Sequence, residues 1–128
     1  MAKEKILVID DEKEFLSLLE SRLGAEGYEV ITASNGIEGL ERVREQKPDL
    51  VVCDIGMPLK DGFEVLKEIR EGVDKRLPVI IASVVDDFDK ITKVYEDEAD
   101  FFVSKPVEII TLSKNIRTLL NLCKGKRE

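Results

Sequence analysis

Apolar residues fall along the chain in two rhythms. The first is a set of five short runs: K-I-L-V-I (Lys5–Ile9), Y-E-V-I-T (Tyr28–Thr32), L-V-V-C (Leu50–Cys53), V-I-I-A (Val79–Ala82) and F-F-V (Phe101–Val103). Four are essentially continuous, the pattern of parallel strands covered on both faces. The exception carries Glu29 inside the run and predicts an edge strand. Between the runs, apolar positions recur at the helical spacing of three and four. Phe15, Leu18, Leu19 and Leu23 form one stripe; Ile37, Leu40 and Val43 form a second; Phe63, Leu66 and Ile69 form a third. Phe88, Ile91 and Tyr95 give a weaker fourth, and the last takes in Ile109, Leu112, Ile116, Leu119, Leu120 and Cys123. Strand and helix alternating five times predict an α/β fold, a doubly wound parallel sheet with right-handed crossovers. No linker, low-complexity stretch or longer repeat interrupts that rhythm.

Composition narrows the function before any motif is considered. A chain of 128 residues fits one domain with a real core. With 43% hydrophobic and 37% charged residues it reads as a soluble globular protein. No apolar run approaches the roughly 18 residues of a membrane span, and no signal-peptide pattern opens the chain, so a cytoplasmic location is expected. The net charge of −7 disfavours direct contact with nucleic acid, since basic residues cluster only in the K-G-K-R-E end. Residues 125–128 are expected to be a solvated basic tail to a domain over 1–124. Cys53 and Cys123 lie in apolar segments and are expected to be reduced packing residues. The absence of histidine removes imidazole general acid–base chemistry and imidazole metal ligands.

The chemistry stands at the strand ends. The first run ends in Asp10-Asp11, the third in Asp54 and the fourth in Ser83, while Ser104-Lys105-Pro106 follows the fifth. Open α/β sheets bind ligands at the carboxyl ends of their strands, at the point where the strand order reverses. In the order 2-1-3-4-5, strands one and three flank that point. Asp10, Asp11 and Asp54 would converge there, with Ser83 and Lys105 opposite. Three carboxylates in one crevice need a compensating charge. A hard divalent cation such as Mg²⁺ takes few protein carboxylates, and prefers to share them with water and phosphate oxygens. An ammonium and a hydroxyl facing it would receive an anion, and Asp54 would be the nucleophile in a phosphoryl transfer. Taken singly, the residues have plainer readings: Asp10-Asp11 would serve equally as a helix cap, and Ser83 as a turn residue. Their recurrence along one sheet edge favours a site.

The stretches I-L-V-I-D-D, D-I-G-M-P-L-K-D-G-F-E-V-L, I-A-S and D-F-F-V-S-K-P, in this order, carry a resemblance over nearly the whole length. The chain resembles the receiver domain of bacterial two-component response regulators. The resemblance implies a flavodoxin-like (βα)5 domain in which Asp54 accepts a phosphoryl group from a phosphohistidine on a sensor histidine kinase or phosphotransfer protein. It implies that Asp10, Asp11, Asp54 and the Gly56 backbone carbonyl hold Mg²⁺. Ser83 and Lys105 would hold the phosphoryl oxygens, and Phe102 matches the switch aromatic. A chain with no histidine must take the phosphoryl group from another protein.

Two positions depart from the family pattern. Val84 stands where receivers usually have Ala or Gly, and Glu98-Ala99 replaces a common Gly-Ala pair. The acidic stretch around Asp86, Asp87, Asp89, Glu96, Asp97 and Glu98 reads as a solvated face or a marginal fourth helix. The expected function is a signalling switch, not an enzyme, that slowly hydrolyses its own phosphoaspartate. With no output domain after Leu122, it would act on a downstream protein, or on a second copy through the face of the fourth helix, fifth strand and last helix. The alternatives are a phosphorelay intermediate, a receiver cut from a longer regulator or hybrid kinase, and an aspartyl-phosphate phosphatase. The last is disfavoured because Gly56 stands where such enzymes place a second aspartate.

Overall fold

A computed structural model describes residues 3–57, 59–73, 76–84, 92–93 and 99–127. The elements run β1 (Lys5–Ile9), α1 (Lys13–Ala25), β2 (Glu29–Ala33), α2 (Gly36–Gln46), β3 (Leu50–Cys53), α3 (Gly62–Glu68), β4 (Val79–Val84), β5 (Phe101–Lys105) and α4 (Ile109–Arg127). All strand pairs are parallel and the sheet order is β2-β1-β3-β4-β5, so the expected topology is observed and the charged run is an edge strand. The fourth predicted stripe, Phe88, Ile91 and Tyr95, lies outside the described residues, as does the Cys123 side chain.

Period-two alternation splits each strand between two cores. Leu7 and Ile9 of β1 join Leu40, Val43, Leu66 and Ile69 on the α2–α3 side. Ile6 and Val8 join Leu19, Leu23, Leu112 and Ile116 on the α1–α4 side. Both faces are dry, which is why the central strands need apolar residues at every position. Each such buried side chain contributes about 1.5–3 kcal/mol relative to exposure.

The helices depart from the predicted stripes in particular places. Leu18 is 44% exposed, and Leu16 packs against the core beside Phe15 in its stead. Ile37 is 45% exposed: the buried face of α2 is made by Gly36, Gly39, Leu40 and Val43, and Ile37 lies off it. Ile69 is buried as expected, but α3 ends at Glu68 and the chain continues as one π-helical turn, Ile69–Val73. Strand β2 is shifted by one residue to Glu29–Ala33. Strands β4 and β5 run on to Val84 and Lys105, because Ser83 pairs with Ser104 and Val84 with Lys105. Lys105 therefore belongs to β5 itself, and its side chain leaves from a hydrogen-bonded strand.

Candidate functional site

The site begins where the sheet register stops. Ile9 of β1 pairs with Cys53 of β3, so Asp10 and Asp54 are each the next residue on adjacent strands. Their amides remain in the ladder: Asp10 N–H donates to the Ala33 carbonyl and Asp54 N–H to the Ile9 carbonyl, both at 3.0 Å. The backbone is thus rigid while the carboxylates clear the strand ends. Asp10 is fully buried, Asp54 is buried and Asp11 is exposed. One carboxylate oxygen from each of the three lies within 4.8 Å of the others.

Helix α1 supplies none of the capping that the pair Asp10-Asp11 could have provided. Its N-cap is Glu12, with no side-chain cap bond. Instead, Asp10 Oδ1 accepts the Glu12 N–H at 2.9 Å and Asp54 Oδ1 accepts the Ile55 N–H at 2.9 Å. These two bonds orient the carboxylates and leave their second oxygens turned toward Lys105.

Lys105 closes the group from β5. Its Nζ donates to Asp10 Oδ2 at 2.7 Å and to Glu12 Oε1 at 2.8 Å, and stands 3.8 Å from Asp54 Oδ2. The ammonium also lies 4.5 Å from the centre of the Phe15 ring. Glu12 and Phe15 were missed as site residues on the sequence. Glu12 extends the acidic run Asp10-Asp11, a signal that was legible; Phe15 reads only as a core position.

One cation among four carboxylates leaves the site electronegative. Burial raises the Asp10 pKa above the ordinary carboxylate value, the nearby Asp54 charge adds to it, and the bonds from Lys105 and Glu12 N–H oppose it. The Lys105 pKa is raised as well: burial pulls the other way, but the bonds to Asp10 and Glu12 together with the Asp54 and Asp10 charges outweigh it. Such a donor set, carboxylate oxygens with excess negative charge at one point, suits a hard divalent cation.

Ser83 is buried near the end of β4, and Gly56 is exposed just past Asp54. Phe102 is half-buried and packs against the α2–α3 core. Cys53 is a buried free thiol whose S–H donates to the Asp54 carbonyl at 3.3 Å, and burial pushes its pKa up. It is a packing residue, as expected. Val84 is 62% exposed and, with Phe15, Leu18, Lys105, Pro106 and Val107, lines a hollow of about 470 Å³ beside the acids.

Residues 6–117 match the family model described as the response regulator receiver domain. The chain belongs to the response regulator receiver family. The receiver is 45% identical over 119 residues to a probable transcriptional regulator, ycf27, of Porphyra purpurea, covering 92% of this chain and 48% of that one. It is 37% identical over 118 residues to the alkaline phosphatase synthesis transcriptional regulatory protein PhoP of Bacillus subtilis, covering 91% and 48%. The receiver thus spans about half the length of these relatives. Among solved structures, a response regulator receiver domain protein from Clostridium thermocellum superposes with a TM-score of 0.89 at 35% identity, covering 94% of this chain and 97% of that one. A CheY-like receiver domain protein from Methanospirillum hungatei gives 0.92 at 25% identity, covering 98% and 99%. Receivers are signalling proteins of two-component systems, and no described helix of this one is long and apolar enough to cross a membrane.

Proposed function

We propose that this receiver is a phosphorylation-controlled switch in which Asp54 accepts a phosphoryl group from a histidine kinase or phosphotransfer protein. The observation that carries the reading is the convergence of Asp10, Asp11 and Asp54 within 4.8 Å, with the Lys105 ammonium 3.8 Å from Asp54. Asp10, Asp11, Asp54 and the Gly56 carbonyl would hold Mg²⁺. When bound, the ion neutralises charge on the carboxylates and on the incoming phosphoryl oxygens.

The chain's own residues do the rest. Asp54 Oδ2, free of the Ile55 N–H bond, attacks phosphorus; the P–N bond to the donor imidazole breaks as the new P–O bond forms. Phosphorylation adds about 1.5 to 2 negative charges. Lys105 compensates them, exchanging part of its contact with Asp10 and Glu12 for phosphoryl oxygens. Ser83 donates its hydroxyl to the same group, and Phe102 repacks into the space it leaves. Because Phe102 has no hydroxyl, this coupling rests on packing alone. Hydrolysis of the acyl phosphate resets the switch. The cell compartment consistent with such partners is the cytoplasm.

The relatives named as transcriptional regulators favour transcription as the output. With a net charge of −7 the receiver makes no DNA contact of its own in this reading, and acts through another domain or protein.

The test is mass spectrometry after incubation with acetyl phosphate. The wild type should gain one phosphoryl group with Mg²⁺ and none with EDTA, and Asp54→Ala should gain none. A modification that persists in Asp54→Ala refutes the assignment.

A further inference from the structure

We propose that Gly36 of α2 and Gly62 of α3 are positioning residues for the metal site, setting where the connection from β3 to α3 places the Gly56 carbonyl. The inference rests on the reading of the acid cluster given above. Gly36 and Gly62 are the first residues of their helices, and each is pressed against this connection. A Cβ on Gly36 would lie 2.9 Å from the Lys60 carbonyl carbon and closer still to its oxygen. A Cβ on Gly62 would lie 2.8 Å from Ile55 Cα and closer still to the Asp54 carbonyl oxygen. The obstacles are backbone atoms, which cannot turn aside as a side chain does. A Cβ on Gly56, by contrast, would meet nothing within 4 Å, so the close approaches fall on Gly36 and Gly62 and not on the ligand residue.

What holds Gly56 is the closed connection. The Ile55 carbonyl accepts two amides, Met57 N–H at 3.0 Å and Gly62 N–H at 2.9 Å, drawing the chain on either side of Gly56 back to one point. Asp61 and Glu64 form a reciprocal capping box that fixes the start of α3. On the opposite side, Asn35 caps α2 by accepting the Glu38 N–H at 2.9 Å, which fixes Gly36 beneath Lys60. Lys60 in turn ion-pairs with Glu68, and Arg44 of α2 lies 3.9 Å from the same carboxylate. Both helix starts are capped, so an added methyl at either would displace the connection in preference to the helix.

Groups that orient metal ligands from behind commonly change affinity about tenfold or more when altered. Calorimetric titration of the intact protein with Mg²⁺ should show Gly36→Ala and Gly62→Ala binding about tenfold more weakly than wild type. Leu23→Ala, a core cavity on α1, serves as the comparison: it should lower the urea midpoint and leave Mg²⁺ affinity unchanged. Wild-type affinity in Gly36→Ala, or equal weakening in Leu23→Ala, overturns the inference. A second measurement needs no variant. In the wild type, the amide signals of Gly36 and Gly62 should follow Mg²⁺ on the same isotherm as Gly56. A Gly56 signal that moves while Gly36 stays still overturns the link to α2. A wild type that binds no Mg²⁺ removes the metal reading itself, and this inference with it.

Discussion

Val84 is the residue at which this receiver departs most visibly from the usual pattern, and its surroundings give the departure a consequence. It follows Ser83 at the end of β4, pairs with Lys105, and exposes 62% of its surface over the hollow beside the acids. A valine adds two methyl groups to an alanine, on a side chain stiff at χ1. Lys105, 3.8 Å from Asp54, lines the same hollow, so water entering by it would pass Val84 on the way to phospho-Asp54. We expect Val84→Ala to hydrolyse its phosphoaspartate faster, by up to about tenfold, equivalent to about 1.4 kcal/mol of barrier. The measurement is loss of phosphoprotein with time after the donor is removed. A change below about twofold, roughly 0.4 kcal/mol, would show that the rim does not limit access.

Helix α4 must be tied down if a change around β5 is to be read elsewhere. At the pole opposite the acids, Arg117 Nη1 donates to Glu4 Oε1 at 2.9 Å, and the guanidinium stacks 5.1 Å from the centre of the Tyr28 ring. This contact joins α4 to the residues that begin β1 and β2. Burial raises the Tyr28 pKa above the ordinary phenol value, with the Arg117 charge opposing the shift. Raised in the fold, the phenol keeps its proton to a higher pH than in the unfolded chain. Its contribution to stability is whole below the unfolded value of about 10, and is lost as pH rises through the folded value. Tyr28→Phe keeps the ring and removes that ionisation. Its urea midpoint should therefore fall less than that of wild type between neutral and strongly alkaline pH. Parallel losses in the two proteins would place the alkaline sensitivity elsewhere.

For the molecule as a whole, phosphorylation has to become a surface event. The proposed output face takes in β5 and α4, where Ile110 is 67% exposed and Lys114 and Arg117 are exposed around it. The expected face includes Lys90, Lys93, Glu96, Lys114 and Arg117; Lys90 and Glu96 lie outside the described residues, and the exposed Lys93 sets its ammonium 4.7 Å from the centre of the Phe63 ring. Glu108, also exposed, precedes Ile110, Lys114 and Arg117 on the same segment. The described part of the face thus carries both signs of charge and an apolar position, and can meet a second copy of itself. Light scattering in Mg²⁺ should give a higher molar mass with beryllofluoride than without it. A monomer in both states would remove homodimerisation and leave a different protein as the partner.

The sequence by itself determined the five parallel strands and the edge position of β2, because burial on both faces demands continuous apolar runs. The order of the strands came with the resemblance to receivers, and the apolar run of β5 did not mark it as the other edge. The sequence also singled out Asp10, Asp54, Ser83 and Lys105, since a polar residue ending an apolar strand is conspicuous. Which face of a helix is buried was less legible. Leu16 and Leu18 are equally apolar, and only the seating of α1 on the sheet decided that Leu16 goes in. The same holds for Glu12 and Phe15. No local pattern says that a lysine on β5, some ninety residues away, brings its ammonium between them; the parallel register does. Gly36 and Gly62 did not stand out in the sequence. Their lack of a Cβ matters only because tertiary packing sets the backbone of the β3–α3 connection against them. Local spacing reports periodicity and burial, whereas contacts between distant strands and helix ends depend on how the layers are assembled.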